Sequence, residues 1–319
     1  MKRNIRDQLI WLAIAVGGWL VIDLLTLVGI ISPFILTIIT MIEINVILAV
    51  SLNLILGVSG QFSLGHAGFM AIGAYASAIV AEKSNSIWGF ALGILIGMAI
   101  SGIIALIEGI PTLRLRGDYL AIATLGVSEI IRITINNLEI TNGPKGIFNI
   151  PAQADWSIVY IFAAVITMVI VNLVHSKTGR AILSVRDNEI AAASLGINTT
   201  KFKVIAFVVG AVAASVAGSL YATYLQSITP SNFSFMQSIS TLIIVVLGGV
   251  GSITGSILAA VVLGFVDIIL QNYGALRMVL YSLMLIAFML FRPSGFLGTW
   301  EFSISRLFSA KNKSQKESK

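Results

Sequence analysis

Residues 175–203, HSKTGRAILSVRDNEIAAASLGINTTKFK, decide how the rest of the chain is read, because they are the longest strongly charged interruption in an otherwise apolar sequence. Lys177, Arg180, Arg186, Lys201 and Lys203, with Asp187 and Glu189, cannot lie in hydrocarbon, so water or a partner protein holds them. Within the stretch Asp187 is the expected N-cap of a short alanine-rich helix. Glu189 falls in its first turn, and Gly196 closes it as the C′ residue. Ala191, Ala192 and Leu195 then make a small, shallow apolar ridge. So short a helix is not stable alone, which implies that its flanks and the groove of another protein hold it. An ordinary basic loop fits the same residues.

Composition sets the class around this stretch. The chain has 319 residues, 57% of them hydrophobic and 11% charged, with a mean hydropathy of +0.97, far more apolar than a soluble domain. The reading is an all-α polytopic membrane protein. The net charge of +6 falls between hydrophobic runs and forms no surface stripe, which argues against a nucleic-acid partner. There is no Cys, so disulfides and thiolate chemistry are excluded, and two His, His66 and His175, cannot build a multi-histidine metal centre.

Apolar segments of roughly 20 residues, enough to cross a bilayer, are expected near 9–31, 33–56, 88–110, 119–135, 156–175 and 204–226, with a last one near 276–291. Two more regions, 57–81 and 237–270, are apolar but interrupted by glycine. If each supplies two short legs, the count is about ten. Lys2, Arg3 and Arg6, Arg114 and Arg116, the five basic residues of 175–203 and the six after the last span place these segments, and both termini, in the cytoplasm. The connections 82–87, 136–155, 227–236 and 271–275 then face outward. Trp88 and Trp156 sit where interfacial anchors do. Residues 1–308 form one transmembrane domain with the charged loop at 176–203, and 309–319 read as a disordered basic tail.

The glycine-rich interruptions are the second informative feature. Residues 53–68, NLILGVSGQFSLGHAG, place Gly57, Gly60, Gln61, Ser63, Gly65 and His66 inside an apolar stretch, and residues 247–256, LGGVGSITGS, place Gly248, Gly249, Gly251, Ser252 and Gly255 in another. Both contain L-G-x-x-G followed by serine. Non-helical backbone at membrane depth is buried in protein or lines a water-filled cavity, so paired breaks point to a translocation pathway. Close helix packing is the other account of the same glycines. Among ionisable residues within spans, Asp23, Glu108 and Arg132 lie near span ends, where they snorkel or pair. Glu129 and Arg132 form an i, i+3 pair, and Glu43 and Asp267 are the better pathway candidates.

No G-x-S-x-G, H-E-x-x-H or P-loop pattern occurs, so the chain carries no catalytic constellation and no nucleotide site of that kind. The runs GVSGQFSLGHAGFMAIGAYASA (57–78), LRLRGDYLAIATLGVSEIIR (113–132), NGPKGI (142–147), GRAILSVRDNEIAAASLGINTTKFK (179–203), GGVGSITGSILAA (248–260) and LFRPSGFLG (290–298) together resemble the permease subunits of branched-chain amino acid ABC importers of the LivM type. The resemblance covers about residues 45 to 298, in order. It implies a multi-pass subunit of the cell membrane, surrounded by lipid, that carries leucine, isoleucine or valine. Its implied partners are a homologous second permease, two cytoplasmic ATPase subunits that bind the ATP, and an extracytoplasmic solute-binding protein.

By the same resemblance, 179–203 is the loop that docks into the ATPase, with Gly179, Arg180, Arg186, Asp187, Asn188, Glu189, Ala191, Ala192, Leu195 and Gly196 as its working residues. The family pattern E-A-A-x-x-x-G, anchored on Gly196, puts Ile190 where the acid belongs, so Glu189 stands one position early. A permease for urea or short amides shares these motifs. A proton- or sodium-coupled transporter using Glu43 and Asp267 is a more distant reading, and an intramembrane enzyme lacks the residues it needs.

Overall fold

The computed structural model of the protein describes residues 5–29, 31–84, 86–112, 115, 117–271, 279, 282–283, 286, 290 and 295–298. Arg114, Arg116, most of the span expected at 276–291 and the tail 309–319 lie outside the described residues. Among the described residues the fold is almost wholly helical, as the composition requires. The helices are α1 (Ile5–Leu27), α2 (Pro33–Asn53), α3 (His66–Lys83), α4 (Ile87–Thr112), α5 (Asp118–Asn137), α6 (Trp156–His175), α7 (Lys177–Asp187), α8 (Glu189–Ser194), α9 (Thr199–Leu225), α10 (Phe235–Gly248) and α11 (Ile253–Gln271). A single two-residue ladder, β1 (Ile147–Phe148) with β2 (Ser227–Ile228), is antiparallel.

Local chemistry sets many of the boundaries. Ser32 caps α2 ahead of Pro33 at its first position, Asp155 caps α6, and Asn198 caps α9 by accepting from the Lys201 N–H. In the outer-loop candidate 136–155, Asn142 adopts a left-handed conformation between two short 3-10 turns, Glu139–Thr141 and Gly143–Lys145.

At the centre, α3 is wrapped by α4 and α9 through small residues. A Cβ on Gly73 would fall on the Ser215 carbonyl, and one on Gly218 would fall on the Met70 carbonyl. Ser219 Oγ donates to the Gly73 carbonyl at 2.9 Å and Ser101 Oγ to the Ala211 carbonyl at 3.0 Å. Such close backbone approach is how helices associate in lipid, where burying apolar surface gives no advantage. Because α3 is enclosed by protein, its sequence needs little hydrocarbon character.

Four helical segments among the described residues are long and apolar enough to cross a membrane: Pro33–Val58, Ile87–Thr112, Trp156–His175 and Thr199–Leu225. A fifth candidate is the pair Phe235–Gly248 and Ile253–Val266, bent by 119° at the second glycine break. Helices α3 and α5 are not among them.

The two interruptions differ in form. Region 237–270 divides into two helices as expected. Region 57–81 does not: its first glycines end a π-helical extension of α2 (Leu54–Val58), residues 60–65 run without helix, and α3 is unbroken. Trp156 also departs from expectation. It is buried and stacks on Trp19 with ring centroids 6.2 Å apart, while Trp19 donates to Ser157 Oγ at 2.7 Å. Trp88 is exposed, as an interfacial anchor is.

The helices therefore define two ends. One carries α7, α8 and both glycine breaks; the other carries the β1–β2 ladder and the loops 138–155 and 226–234.

Candidate functional site

The charged stretch 176–203 folds into more structure than its sequence announces. Ser176 Oγ accepts from the Gly179 N–H at 3.2 Å and starts α7, an unexpected helix whose Gly179, Ile182 and Val185 share one buried face. Gly179 is required because a Cβ there would fall on the Val174 and Leu173 carbonyls. Asp187 is the last residue of α7 and not the cap of α8. Its carboxylate is held by Arg186 Nε and Nη2 at 3.0 and 2.8 Å, which leaves the capping to Asn188, whose Oδ1 accepts from the Ala191 N–H at 3.0 Å. Arg180 is exposed and donates to the His175 carbonyl at 3.3 Å.

Helix α8 ends as expected. Gly196 takes φ +80°, and the Ile197 N–H reaches back to the Ala192 carbonyl at 3.1 Å. The apolar ridge is composed differently. Ala192 is buried against the body of the protein, Ala191 is exposed, and the large exposed apolar side chains are Ile190 at 75% and Leu195 at 83%. A six-residue helix rotates its alanine inward to lie on α7 and α9, which turns Ile190 and Leu195 to the outside.

The two glycine breaks touch. Gly57 lies so close to Gly251 that a Cβ would fall on the Gly251 nitrogen and on Asn53 Oδ1. Asn53, fully buried at the end of α2, laces the junction: its Nδ2 donates to the Ser252 carbonyl at 2.7 Å and to Ser256 Oγ at 2.8 Å, and its Oδ1 accepts from the Gly251 N–H at 2.8 Å. The second glycine of each L-G-x-x-G, Gly60 at φ +71° and Gly251 at φ +92°, occupies the left-handed region that favours glycine. Gly248 packs against Gly255 where α10 crosses α11. Gly249 abuts Gly298, and the Phe296 and Leu297 N–H groups donate to the Leu247 and Gly248 carbonyls at 2.6 and 3.4 Å.

Side chains of the charged stretch reach this junction. Arg186 Nη1 donates to the Gly57 carbonyl at 3.0 Å, and Gln61 Nε2 donates to the Lys203 carbonyl at 3.1 Å and also to Ser59 Oγ. Lys203 Nζ pairs with Glu189 Oε1 at 2.7 Å. Two links thus reach the first break from the charged stretch, Glu189 to Lys203 to Gln61 and Arg186 to Gly57, and Gly57 in turn lies against Gly251 of the second.

Further along the non-helical segment, the Leu64 N–H donates to Thr124 Oγ1 at 3.0 Å, Ser63 Oγ accepts from the Gly65 N–H at 3.3 Å, and Gly65 lies against the Thr124 carbonyl. His66 is buried with its Nε2 at 2.8 Å from Ser51 Oγ, so its partner is a side chain of α2. Glu43 is buried with neither oxygen hydrogen-bonded. Glu108 is in the same condition, which corrects the expectation that it snorkels. Asp267 falls on α11, and its side chain lies outside the described residues. Sequence reasoning missed Asn53 and the role of Lys203. The available signal for Asn53 was an amide in an apolar run just before a glycine break.

Residues 34–290 match the family described as the branched-chain amino acid transport system, permease component. The chain belongs to this family. Among named relatives, the high-affinity branched-chain amino acid transport system permease protein LivM of Salmonella typhimurium is 33% identical over a 262-residue alignment covering 70% of this chain and 61% of the relative. LivM of Escherichia coli K12 is also 33% identical, over 264 residues with the same coverage. The permease protein LivH of Escherichia coli K12 is 28% identical over 200 residues, 61% of this chain and 64% of the relative. The matched region therefore spans less than two thirds of each of these relatives' length. No solved structure matches the chain.

Proposed function

We propose that this permease-family chain is the membrane subunit of an ATP-driven importer of the branched-chain amino acids leucine, isoleucine and valine. It crosses the cell membrane about ten times with both termini in the cytoplasm, and the end bearing α7 and α8 is the cytoplasmic one. It works beside a homologous second permease, two ATPase subunits that bind the nucleotide and an extracytoplasmic solute-binding protein. The observation that carries this reading is the pair of links from the charged stretch to the first break, Glu189–Lys203 to Gln61 and Arg186 to Gly57, with Gly57 lying on Gly251 of the second break. It offers a rigid linkage between an exposed docking helix and the place where two membrane segments break. ATPase closure moves α8, α7 follows through its buried face, and the junction of the breaks opens or closes as packed elements shift.

The test is reconstitution in vesicles. The two permeases with ATPases, binding protein and ATP accumulate leucine, and the two permeases alone do not. Leucine accumulation driven by a proton or sodium gradient without the ATPases refutes the reading. A panel of leucine, urea and short amides assigns the cargo.

A further inference from the structure

Helix α5 carries a pair of opposite charges, Glu129 and Arg132, on its open face well inside its length. Its other face, with Leu120, Ala121, Thr124, Ser128, Ile131 and Ile135, is buried. Between α5 and the start of α10 lies a groove of about 870 Å³, walled by Ile122, Leu125 and Phe235 and containing Glu129, Arg132 and Ser234. At 1.5 Å per residue, Arg132 lies about 8 Å and Glu129 about 12 Å from the end of α5, within the span that the sequence leads one to expect at 119–135. The two side chains remain 30% and 42% exposed. Charges at this depth do not face lipid; they face protein or water.

The pair itself has spare capacity. Arg132 uses Nε, donating to Glu129 Oε2 at 2.9 Å, and Nη2, donating to Oε1. Of the five N–H groups of a guanidinium, three are left on the outer edge, in the fork geometry that fits a carboxylate. The Glu129 carboxylate keeps lone pairs for an ammonium. Opposite charges side by side, next to a branched aliphatic and aromatic wall and a serine hydroxyl, match a zwitterionic α-amino acid with an aliphatic side chain. The volume falls in the range of ligand sites.

We propose that this groove is a transit subsite for the transported amino acid, with Arg132 receiving the α-carboxylate, Glu129 the α-ammonium, and Ile122, Leu125 and Phe235 the side chain. The inference rests on the importer reading above and adds the place where cargo is held inside the membrane. The groove lies toward the end that carries the β1–β2 ladder, since Ser234 follows directly on the loop after β2. It is thus on the delivery side of the glycine breaks.

The test uses the complete transporter: both permeases, ATPases and binding protein in vesicles. The chain has no native cysteine, and a Cβ at Gly126, which also lines the groove, meets nothing within 4 Å, so Gly126→Cys is a clean reporter. A membrane-impermeant methanethiosulfonate modifies it in the working complex, and saturating leucine under turnover slows the modification about threefold or more. No modification means that a neighbouring subunit or lipid fills the groove, and overturns the proposal; so does modification at a rate that leucine leaves unchanged.

The exchange Glu129→Arg with Arg132→Glu keeps an ion pair and reverses its direction. Leucine uptake per assembled complex, normalised by ATPase pull-down, falls about tenfold or more. Uptake within about twofold of wild type assigns the pair a structural role only and overturns the proposal. Where the exchange prevents assembly, Arg132→Lys keeps the charge without the fork, raising KM for leucine about fivefold at little change in kcat; an unchanged KM overturns it. Failure of the wild-type complex to move leucine refutes the importer reading. Leucine transport with indifferent variants refutes the subsite alone.

Discussion

Arg186 of α7 donates from Nη1 to the carbonyl of Gly57 at 3.0 Å, across 129 positions of sequence. The acceptor belongs to the end of a helix, where carbonyls have no partner within the helix itself. A side chain of the charged stretch thus does the work of a helix cap for the first glycine break, and its stem packs at 2.8 Å from the position a Gly60 Cβ would take.

Replacing this arginine should separate assembly from transport. Arg186→Ala removes a charge-assisted hydrogen bond worth about 1.5–3 kcal/mol. ATPase pull-down is expected at the wild-type level, with leucine uptake per complex reduced about tenfold. Equal losses in pull-down and uptake would show that Arg186 serves the docking surface instead.

Asn53 should be the most sensitive polar residue of the junction. Asn53→Leu leaves the Gly251 N–H without its acceptor, at about 1–3 kcal/mol for that buried group, and removes one of the donors to the Ser252 carbonyl, which keeps those of Ser256. The midpoint of thermal unfolding in detergent falls well below wild type. An unchanged midpoint contradicts the lacing role.

The glycines differ sharply in what they tolerate. Gly57→Ala forces atoms into Asn53 and the Gly251 backbone and is expected to abolish stable assembly, because overpacking costs about 1–3 kcal/mol even where neighbours can shift. Gly126→Ala meets open space and should express and assemble like wild type. Size-exclusion yield of the complex compares the two.

On α8 the exposed pair, and not the buried alanine, should control docking. Leu195→Asp or Ile190→Asp leaves folding intact and removes ATPase pull-down, since both side chains point away from the protein. Ala192→Asp puts a charge into a buried site and lowers yield of the chain itself. Full ATPase capture by Leu195→Asp would place the docking surface elsewhere.

The Glu189–Lys203 pair, with the two side chains 34% and 16% exposed, should matter little for stability, about 1 kcal/mol or less. Its effect should appear in coupling: the complete transporter carrying Lys203→Ala is expected to move less leucine per ATP hydrolysed by its ATPase subunits. A wild-type ratio would mean that the Gln61 contact to the Lys203 backbone, which the variant keeps, suffices.

Most of the architecture was legible because lipid imposes long apolar runs. The positions of α2, α4, α6 and α9 follow from run length, and the helix closed by Gly196 follows from cap chemistry. Helix α7 was not legible: its apolar face is only Ile182 and Val185 beside Gly179, too sparse to stand out among basic residues. Asp187 misled because an acid before a short helix looks like a cap, and only the geometry shows Arg186 occupying it. The glycines of the breaks were recognised, but that the two breaks meet was not, because contact between residues 57 and 251 leaves no trace in local periodicity. Helices α3 and α5 are weak as hydrocarbon spans for opposite reasons, one enclosed by protein and the other open on a charged face.

The pairing of Ile147 with Ile228 and of Phe148 with Ser227 joins, by backbone hydrogen bonds, two connections far apart in sequence. It sits at the far end from α8, so a push delivered there meets an anchored opposite pole. On the importer reading proposed above, the bundle would pivot like an oar in its lock: small travel beside the pairing, large travel at α8.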